Sequence, residues 1–331
     1  MNFRSNRSSF VKAAALAACA FGFALPAFAQ QTLITEPDQG FTPLYNLINS
    51  AQSTIDMTMY ELQDTTAQND LCNAAARGVT VRVILDVNLE QRNNTTAYNQ
   101  LSGCGVQVNW AWTTYAATHQ KSILIDYGSA NAQVAIMSMN FTSRYYSTSR
   151  DFGVIENDAN DMAAIETTFN ADFAQTSVTP PTGDDLIWSP TNSRSSLLSI
   201  INNATTSLVV ENEEMGDSGI VSALENAATR GVSLTIVMTD NSKYYSNLDA
   251  LKSAGASIAT YPNDNTSLYI HAKAIVADYG TANAVAFVGS ENFSSYSLDR
   301  NRELGLTTTD SNVMSQLNST INNDYSGANP Y

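Results

Sequence analysis

The chain of 331 residues is written twice. Ala74-Ala75-Ala76-Arg77-Gly78-Val79 has a partner in Ala227-Ala228-Thr229-Arg230-Gly231-Val232, and HQKSILID at 119–126 returns as HAKAIVAD at 271–278. SMNF at 138–141 returns as SENF at 290–293, and SRDFG at 149–153 as NRELG at 301–305. The offset is 152 or 153 residues, with a two-residue slip where Leu101-Ser102-Gly103-Cys104-Gly105 answers to Leu251-Lys252-Ser253-Ala254-Gly255. Two copies of this length point to duplicated α/β halves, not to a solenoid. Thr179-Pro180-Pro181-Thr182-Gly183 punctuates the middle and predicts the connector, dividing the chain at 30–182 and 183–331.

Each half carries the same pattern. A helix (Pro43–Ser50; Ser195–Asn203) precedes an apolar strand (Ile55–Tyr60; Leu208–Glu211). A second helix ends at Arg77 or Arg230, and a β-branched strand follows at once (Val79–Leu85; Val232–Met238). After a third helix and strand come two short strands around a turn, a further strand and a closing helix. Strands alternating with helices predict α/β layers, and the turn-linked pair makes each sheet mixed.

Residues 1–29 predict a secretory signal peptide. Arg4, Arg7 and Lys12 give a basic start, Ala13 to Leu25 is mostly apolar, and Ala27-Phe28-Ala29 is a small-x-small cleavage site. The stretch is short for a membrane span and Pro26 breaks it. Leu16-Ala17-Ala18-Cys19 resembles a lipoprotein cleavage box, a secondary alternative. The expected product is exported, to the periplasm or beyond, with 13 basic and 31 acidic residues and a net charge of −18. No other long apolar run predicts a transmembrane helix. Cys72 and Cys104 remain after cleavage, and an oxidising compartment favours a bridge between them over two buried thiols. Neither has a cysteine at the matching position of the other half, which suits a local staple.

The chain has two histidines, His119 and His271, each followed by lysine at +2 and aspartate at +7, although it holds only five lysines. Composition does not produce such a double coincidence. On a strand, His119 and Lys121 share a face, as do His271 and Lys273. Asp126 and Asp278 lie an odd number of residues away, so they are read as structural, fixing the following turn. Pairing about the turn at Tyr127–Asn131 sets His119 opposite Asn140 and Lys121 opposite Ser138, with His271–Asn292 and Lys273–Ser290 in the second half. Each half then offers an imidazole, an ammonium, an amide and a hydroxyl at one end of one hairpin. That set suits an anion with spread charge, such as phosphate. A carboxylate is needed to hold each imidazole's tautomer. Asp151 and Glu303, each 32 residues after the histidine of its own half, are the candidates. The alternative is a pair of surface carboxylates bridged to Arg150 and Arg302. Two histidines without matched cysteines or His-x3-His spacing make a poor zinc site, and lysine beside each repels a cation. Chemistry without metal or cofactor is expected.

The duplicated H-x-K-x4-D motif followed by Ser-x-Asn resembles the phospholipase D superfamily over nearly the whole exported chain. The second copy, HAKAIVAD then GSENF then NRELG, is the better match; the first departs at Met137, where Gly289 stands in the second. The resemblance implies two similar α/β/α halves with mixed sheets about a pseudo-twofold axis, with both histidines in one cleft. It implies a phosphohistidine intermediate, with His119 as nucleophile and His271 as acid and base. Lys121, Lys273, Asn140 and Asn292 would bind the non-bridging oxygens, supported by Ser138 and Ser290.

Which phosphodiester is cut is narrowed by charge. Residues 30–182 carry 6 basic and 15 acidic side chains, and residues 183–331 carry 7 and 16, so neither half is a basic nucleic-acid module. Export places the enzyme in water, which favours hydrolysis. The reading is a secreted phospholipase D acting on phospholipid at a membrane or micelle surface, with phosphatidic acid as product. A metal-independent nuclease is the first alternative; a phospholipid synthase or transferase and an inactive binding protein follow. Two motifs in one chain need no oligomer to build the site. Trp110, Trp112, Tyr115, Tyr145, Tyr146, Tyr244 and Tyr245 are either a cleft rim for acyl chains or head group, or ordinary packing. Glu61 and Glu214 fall at matching strand ends, where they would line the cleft or cap a helix.

Overall fold

The computed structural model describes Met1, residues 30–142 and residues 147–331. Residues 2–29, where the signal peptide and Cys19 are expected, and the aromatic pair Tyr145 and Tyr146 lie outside the described residues.

The first half runs β1 (Thr32–Glu36), α1 (Thr42–Ser50), β2 (Thr54–Met59), α2 (Thr65–Ala76), β3 (Thr80–Leu85), α3 (Gln91–Gly103), β4 (Gln107–Trp110), β5 (Ser122–Ile125), β6 (Gln133–Met137), β7 (Ser149–Glu156) and α4 (Ala159–Phe173). The second runs β8 (Leu186–Ser189), α5 (Ser193–Asn203), β9 (Ser207–Asn212), α6 (Ser218–Thr229), β10 (Ser233–Thr239), α7 (Tyr245–Ser253), β11 (Ser257–Tyr261), β12 (Tyr269–Ile270), β13 (Lys273–Ala277), β14 (Val285–Gly289), α8 (Ser295–Asp299), β15 (Glu303–Thr308), α9 (Ser311–Gly327) and β16 (Asn329–Pro330). Strand order is β1-β7-β6-β5-β2-β3-β4 in one sheet and β8-β15-β14-β13-β9-β10-β11-β16 in the other. Both sheets are mixed: β2–β3–β4 and β9–β10–β11 are parallel, and the rest of each path is antiparallel. The edge strands β1 and β8 carry no repeated motif, so the duplication does not reveal them.

Local chemistry starts the helices. Asp64 and Asp217 accept from Ala67 N and Ile220 N to cap α2 and α6, and Asp158 and Asp310 cap α4 and α9 in the same way. Each such cap contributes about 1 kcal/mol. Leu44, Leu71 and Leu101 bury the outer helices on Met57 and Val83; Leu197, Leu224 and Leu251 do the same on Val210 and Ile236. The inner faces share a third core, in which Ile165 of α4 and Leu317 and Ile321 of α9 meet Phe152, Val154, Val288 and Leu304. The disulfide Cys72–Cys104 ties α2 to the end of α3, beside the outer core.

The halves interlock. β12 pairs in parallel with β7 of the other sheet, Tyr269 with Ser149 and Ile270 with Arg150, and Thr118 bridges to Arg302. The segment entering each histidine motif therefore docks on the strand that carries the other half's candidate carboxylate. Among the described residues no helix is long and apolar enough to cross a membrane.

Candidate active site

That docking decides the histidine partners, and they are crossed. His119 N donates to Arg302 O at 2.9 Å, and His119 Nδ1 lies 2.8 Å from Glu303 Oε2. His271 N donates to Arg150 O at 3.1 Å, and His271 Nδ1 lies 2.7 Å from Asp151 Oδ1. Each carboxylate serves the histidine of the opposite half, not its own. Nor are they surface groups bridged to their neighbours: Arg150 pairs with Asp324 and Asp38, and Arg302 with Asp172. Burial opposes ionisation of Asp151, but His271, Lys273 and Ser138 outweigh it and hold the acid below its usual range. Glu303 is held down likewise by His119, Lys121 and Ser297, against burial. Burial pushes the His119 imidazole down, Lys121 and Lys273 push the same way, and Glu303 pulls against them. His119 is a neutral ring whose Nδ1 is committed.

The hairpin register differs by one residue from the predicted pairing. Ser122 faces Ile136 and Ala274 faces Val288, so Lys121 lies across from Met137 and Lys273 across from Gly289. The cause lies at the turn. Asp126 and Asp278 leave the strand with φ of 52° and 51°. Their carboxylates accept from the backbone N–H groups of Gln52, Ser53 and Thr54, and of Thr205, Thr206 and Ser207. They anchor the loop before β2 and β9 as well as the turn that follows, at the far end of the hairpin from the histidines.

Ser138 and Ser290 take a different role from the one expected. Both hydroxyls are buried and used within the protein. Ser138 Oγ donates to Asp151 Oδ1 at 2.6 Å and accepts from Phe152 N; Ser290 Oγ accepts from Leu304 N at 3.1 Å. They hold the carboxylate strands. Lys121 and Lys273 are fully buried, and each donates to the carbonyl of its own histidine. Burial, with Lys273 close by, lowers Lys121 from 10.5 to about 7, against Glu303, Glu213 and Asp151. Both lysines and carboxylates of both halves thus share one electrostatic neighbourhood. Asn140 Oδ1 and Asn292 Oδ1 are buried without a hydrogen-bond partner among the described residues.

The pseudosymmetry breaks at one place. Thr58 faces Ser122 while Asn212 faces Lys273, and Leu62 bridges Phe141 as Met215 bridges Phe293. Tyr60 and Glu213 therefore occupy equivalent positions. The Tyr60 ring lies 4.6 Å from the His119 ring, with Lys121 Nζ 4.9 Å from its centroid. Glu213 instead accepts from Lys273 Nζ at 3.0 Å and Asn292 Nδ2 at 3.3 Å, and its Oε2 lies 3.6 Å from His271 Nε2. Tyr269 Oη donates to Oε1 at 2.7 Å. Against burial, Lys273 and His271 keep this carboxyl well below its usual range. Alignment of the two copies at Leu62 and Met215 exposes the Tyr60/Glu213 difference in the sequence; the neighbouring Glu214 pairs with Lys243.

Two further buried acids went unnoticed in the sequence. Glu36 ends β1 in register with Asp151, and burial and that neighbour push it up to about 10, so it is a neutral acid. Glu291 is driven up by burial and by Glu303. Its Oε2 would lie 2.4 Å from a Cβ on Gly289 and 2.7 Å from one on Gly305. Gly289 thus makes room for Glu291, whereas the first half fills the same place with Met137 and Met139. The Gly/Met difference is a packing exchange.

A cleft of about 610 Å³ is lined among the described residues by Glu36, Tyr60, Glu61, Asn140, Asp151, Glu213, Tyr269 and His271, with Phe41 and Asp264 on its wall. The described aromatics named from the sequence pack in ordinary ways: Trp110 stacks on Tyr98, Tyr115 lies against Arg302, Trp112 lies against Tyr115, Tyr244 is buried in the outer core and Tyr245 stands exposed near Tyr331. Glu61 lines the cleft, and the helix-capping role belongs to Asp64 and Asp217.

Fold and site together define a duplicated α/β protein with two crossed histidine–carboxylate pairs, of which His271 and Asp151 line the cleft and His119 lies behind the lining residue Tyr60. The family model described as cardiolipin synthase, PLD-like domain, matches residues 44–173 and 197–325, one match per half. The chain belongs to the phospholipase D superfamily. Its fold is similar to that of phosphatidylserine synthase from Haemophilus influenzae Rd KW20, at TM-score 0.68 and 12% identity over 90% of this chain and 89% of that one. Polyphosphate kinase from Porphyromonas gingivalis is similar at TM-score 0.67 and 13% identity over 89% of this chain; the chain spans 50% of the kinase's length. Nuc from Salmonella typhimurium matches 44% of this chain and 95% of its own, at 22% identity and TM-score 0.39. No curated protein matches by sequence.

Proposed function

We propose that the chain is an exported phosphodiesterase of phospholipase D type, which hydrolyses a phospholipid to phosphatidic acid and free head group. The observation that carries this reading is the pair of imidazoles, each with Nδ1 held by a buried, ionised carboxylate. That leaves Nε2 of each ring for chemistry. His119, neutral and next to Tyr60, is the nucleophile: Nε2 attacks phosphorus and the bond to the head-group oxygen breaks. His271 carries the proton and gives it to that leaving oxygen; a carboxylate near both of its nitrogens suits a ring that holds a proton. Water then attacks the phosphohistidine, His271 takes the water's proton, and the P–N bond breaks to release phosphatidic acid. Lys121, Lys273, Asn140 and Asn292 bind the non-bridging oxygens. The acidic cleft wall, with Glu61, Glu213 and Asp264, disfavours a polyanion such as DNA.

The test is phosphorus NMR of phosphatidylcholine mixed micelles with the protein and EDTA. Phosphatidic acid is expected despite the chelator, and His119→Asn and His271→Asn should each slow its appearance by about 10³-fold or more. Full activity in either variant would end the two-histidine mechanism. An unchanged lipid spectrum with cleavage of single-stranded DNA would establish the nuclease instead.

A further inference from the structure

Two buried ion pairs repeat the crossing that joins each histidine to its acid. Arg150 Nε and Nη2 lie 2.6 and 3.0 Å from the two carboxylate oxygens of Asp324. Arg302 Nε and Nη2 lie 2.9 and 3.1 Å from those of Asp172. In both pairs the arginine belongs to one half and the aspartate to the other. All four residues are buried. Their spacing is repeated as well: the two arginines, the two aspartates and the two histidines each stand 152 residues apart.

Asp172 sits in the last turn of α4 and Asp324 in the last turn of α9. The helix dipole disfavours an acid there, so the helices themselves give no reason for it. The reason lies in what each arginine carries. Arg150 O accepts from His271 N, and the next residue, Asp151, holds His271 Nδ1. Arg302 O accepts from His119 N, and the next residue, Glu303, holds His119 Nδ1. One short stretch of strand thus grips both the backbone and the ring of the opposite histidine. A guanidinium held by two carboxylate oxygens is fixed in orientation as well as in distance. The aspartate that holds it comes from the same half as the histidine being gripped, so each grip is tied back to the half it serves. Arg150 also donates to Glu36 O, and Arg302 to Tyr115 Oη, but neither of these acceptors lies on a closing helix.

We infer that Asp172 and Asp324 are positioning residues, each of which clamps the arginine beside an acid and thereby sets one imidazole: Asp172 that of His119, and Asp324 that of His271. The effect on turnover rests on the phosphodiesterase reading above. The effect on the rings does not.

The chain has only two histidines, so nitrogen NMR of the full chain labelled at histidine shows two rings, assigned with His119→Asn and His271→Asn. Asp324→Asn should move the Nδ1 signal of His271 and leave that of His119 in place. Asp172→Asn should do the reverse. Each variant should turn over phosphatidylcholine about tenfold more slowly or worse, because a small misplacement of a reacting group is costly. Asp324→Asn should recover most of its loss with a p-nitrophenol leaving group, which needs no proton from His271, whereas Asp172→Asn should lose on both substrates. The ratio of the two rates is taken within one preparation, so a smaller folded fraction does not alter it. A buried arginine left without its partner can unfold the chain. The paired variants Arg150→Met with Asp324→Leu, and Arg302→Met with Asp172→Leu, remove both charges and fill the space, and the same single ring should move in each. Both rings moving together, or neither, would overturn the inference, since the pairs would then be general ties between the halves. So would an equal loss of Asp324→Asn on the two substrates. If lipid is cleaved and the rings stay in place, this inference alone fails. If the rings respond as expected and the wild type cleaves no phosphodiester, the phosphodiesterase reading fails and the positioning of the rings stands.

Discussion

Lys121 is held in its place at the expense of stability. It is fully buried beside Lys273, and its lowered value of about 7, against 10.5 for an ordinary lysine, measures that cost. The unfolded chain binds a proton here that the folded chain releases, so folding stability rises with pH between about 7 and 10.5. Lys121→Met should remove this slope, leave Tm unchanged or higher, and lower turnover about 10³-fold, because a buried ion is replaced by an apolar chain of similar volume. Thermal unfolding across that pH range, read beside the lipid assay, checks both halves of the expectation. The H-x-K spacing marked this lysine from the sequence. Its depressed basicity was not legible there, because it depends first on burial and then on Lys273, which lies 152 residues away.

At the scale of elements, β7 and β15 each hand their acid to the opposite half. Asp151 should therefore matter for delivery of a proton by His271, and Glu303 for attack by His119. Asp151→Asn is expected to lose about 10²-fold or more with a choline leaving group and to recover most of that loss with p-nitrophenol, which leaves without a proton. Glu303→Gln should lose activity on both substrates. Recovery in Glu303→Gln instead would exchange the two histidine roles. The Asp278 turn is a second element with a measurable weight. Burial opposes its ionisation, but the N–H groups of Thr206, Ser207 and Thr205 outweigh it and hold the carboxyl well below its usual 3.8. The stability it contributes is present above that unfolded value and is lost as pH falls toward the folded one. Asp278→Ala should cost about 3 kcal/mol in a denaturant titration at pH 7, through several charge-assisted hydrogen bonds lost together, and much less at pH 2. Matched helices and strands could be read from periodicity within each copy, whereas β1 and β8 could not, since they were strands only by virtue of pairing with β7 and β15.

The whole molecule is a duplication that cannot be divided. Residues 30–182 alone would keep His119 and Asp151, yet neither would have its partner, and β7 would lose β12. The inner core of Phe152, Val154, Val288 and Leu304 would also open to water. Either half expressed alone should be inactive in the micelle assay, while mixing the two halves should restore activity only to the extent that they associate, as size-exclusion chromatography would report. An active, monomeric half would contradict the crossed pairing.

The sequence by itself determined the duplication, the mixed α/β halves, the two H-x-K motifs and the identity of the acids Asp151 and Glu303. All of these are written in local spacing, and spacing survives without a partner. Tertiary structure alone decided which acid meets which histidine, because the docking of β12 on β7 and of Thr118 on Arg302 joins segments that no period connects. It decided the hairpin register, because Asp126 turns at positive φ while anchored by backbone N–H groups more than 70 positions earlier in the chain. It decided the surroundings of His271 as well, since Glu213 became part of the site only when Lys273, Asn292 and His271 closed around it.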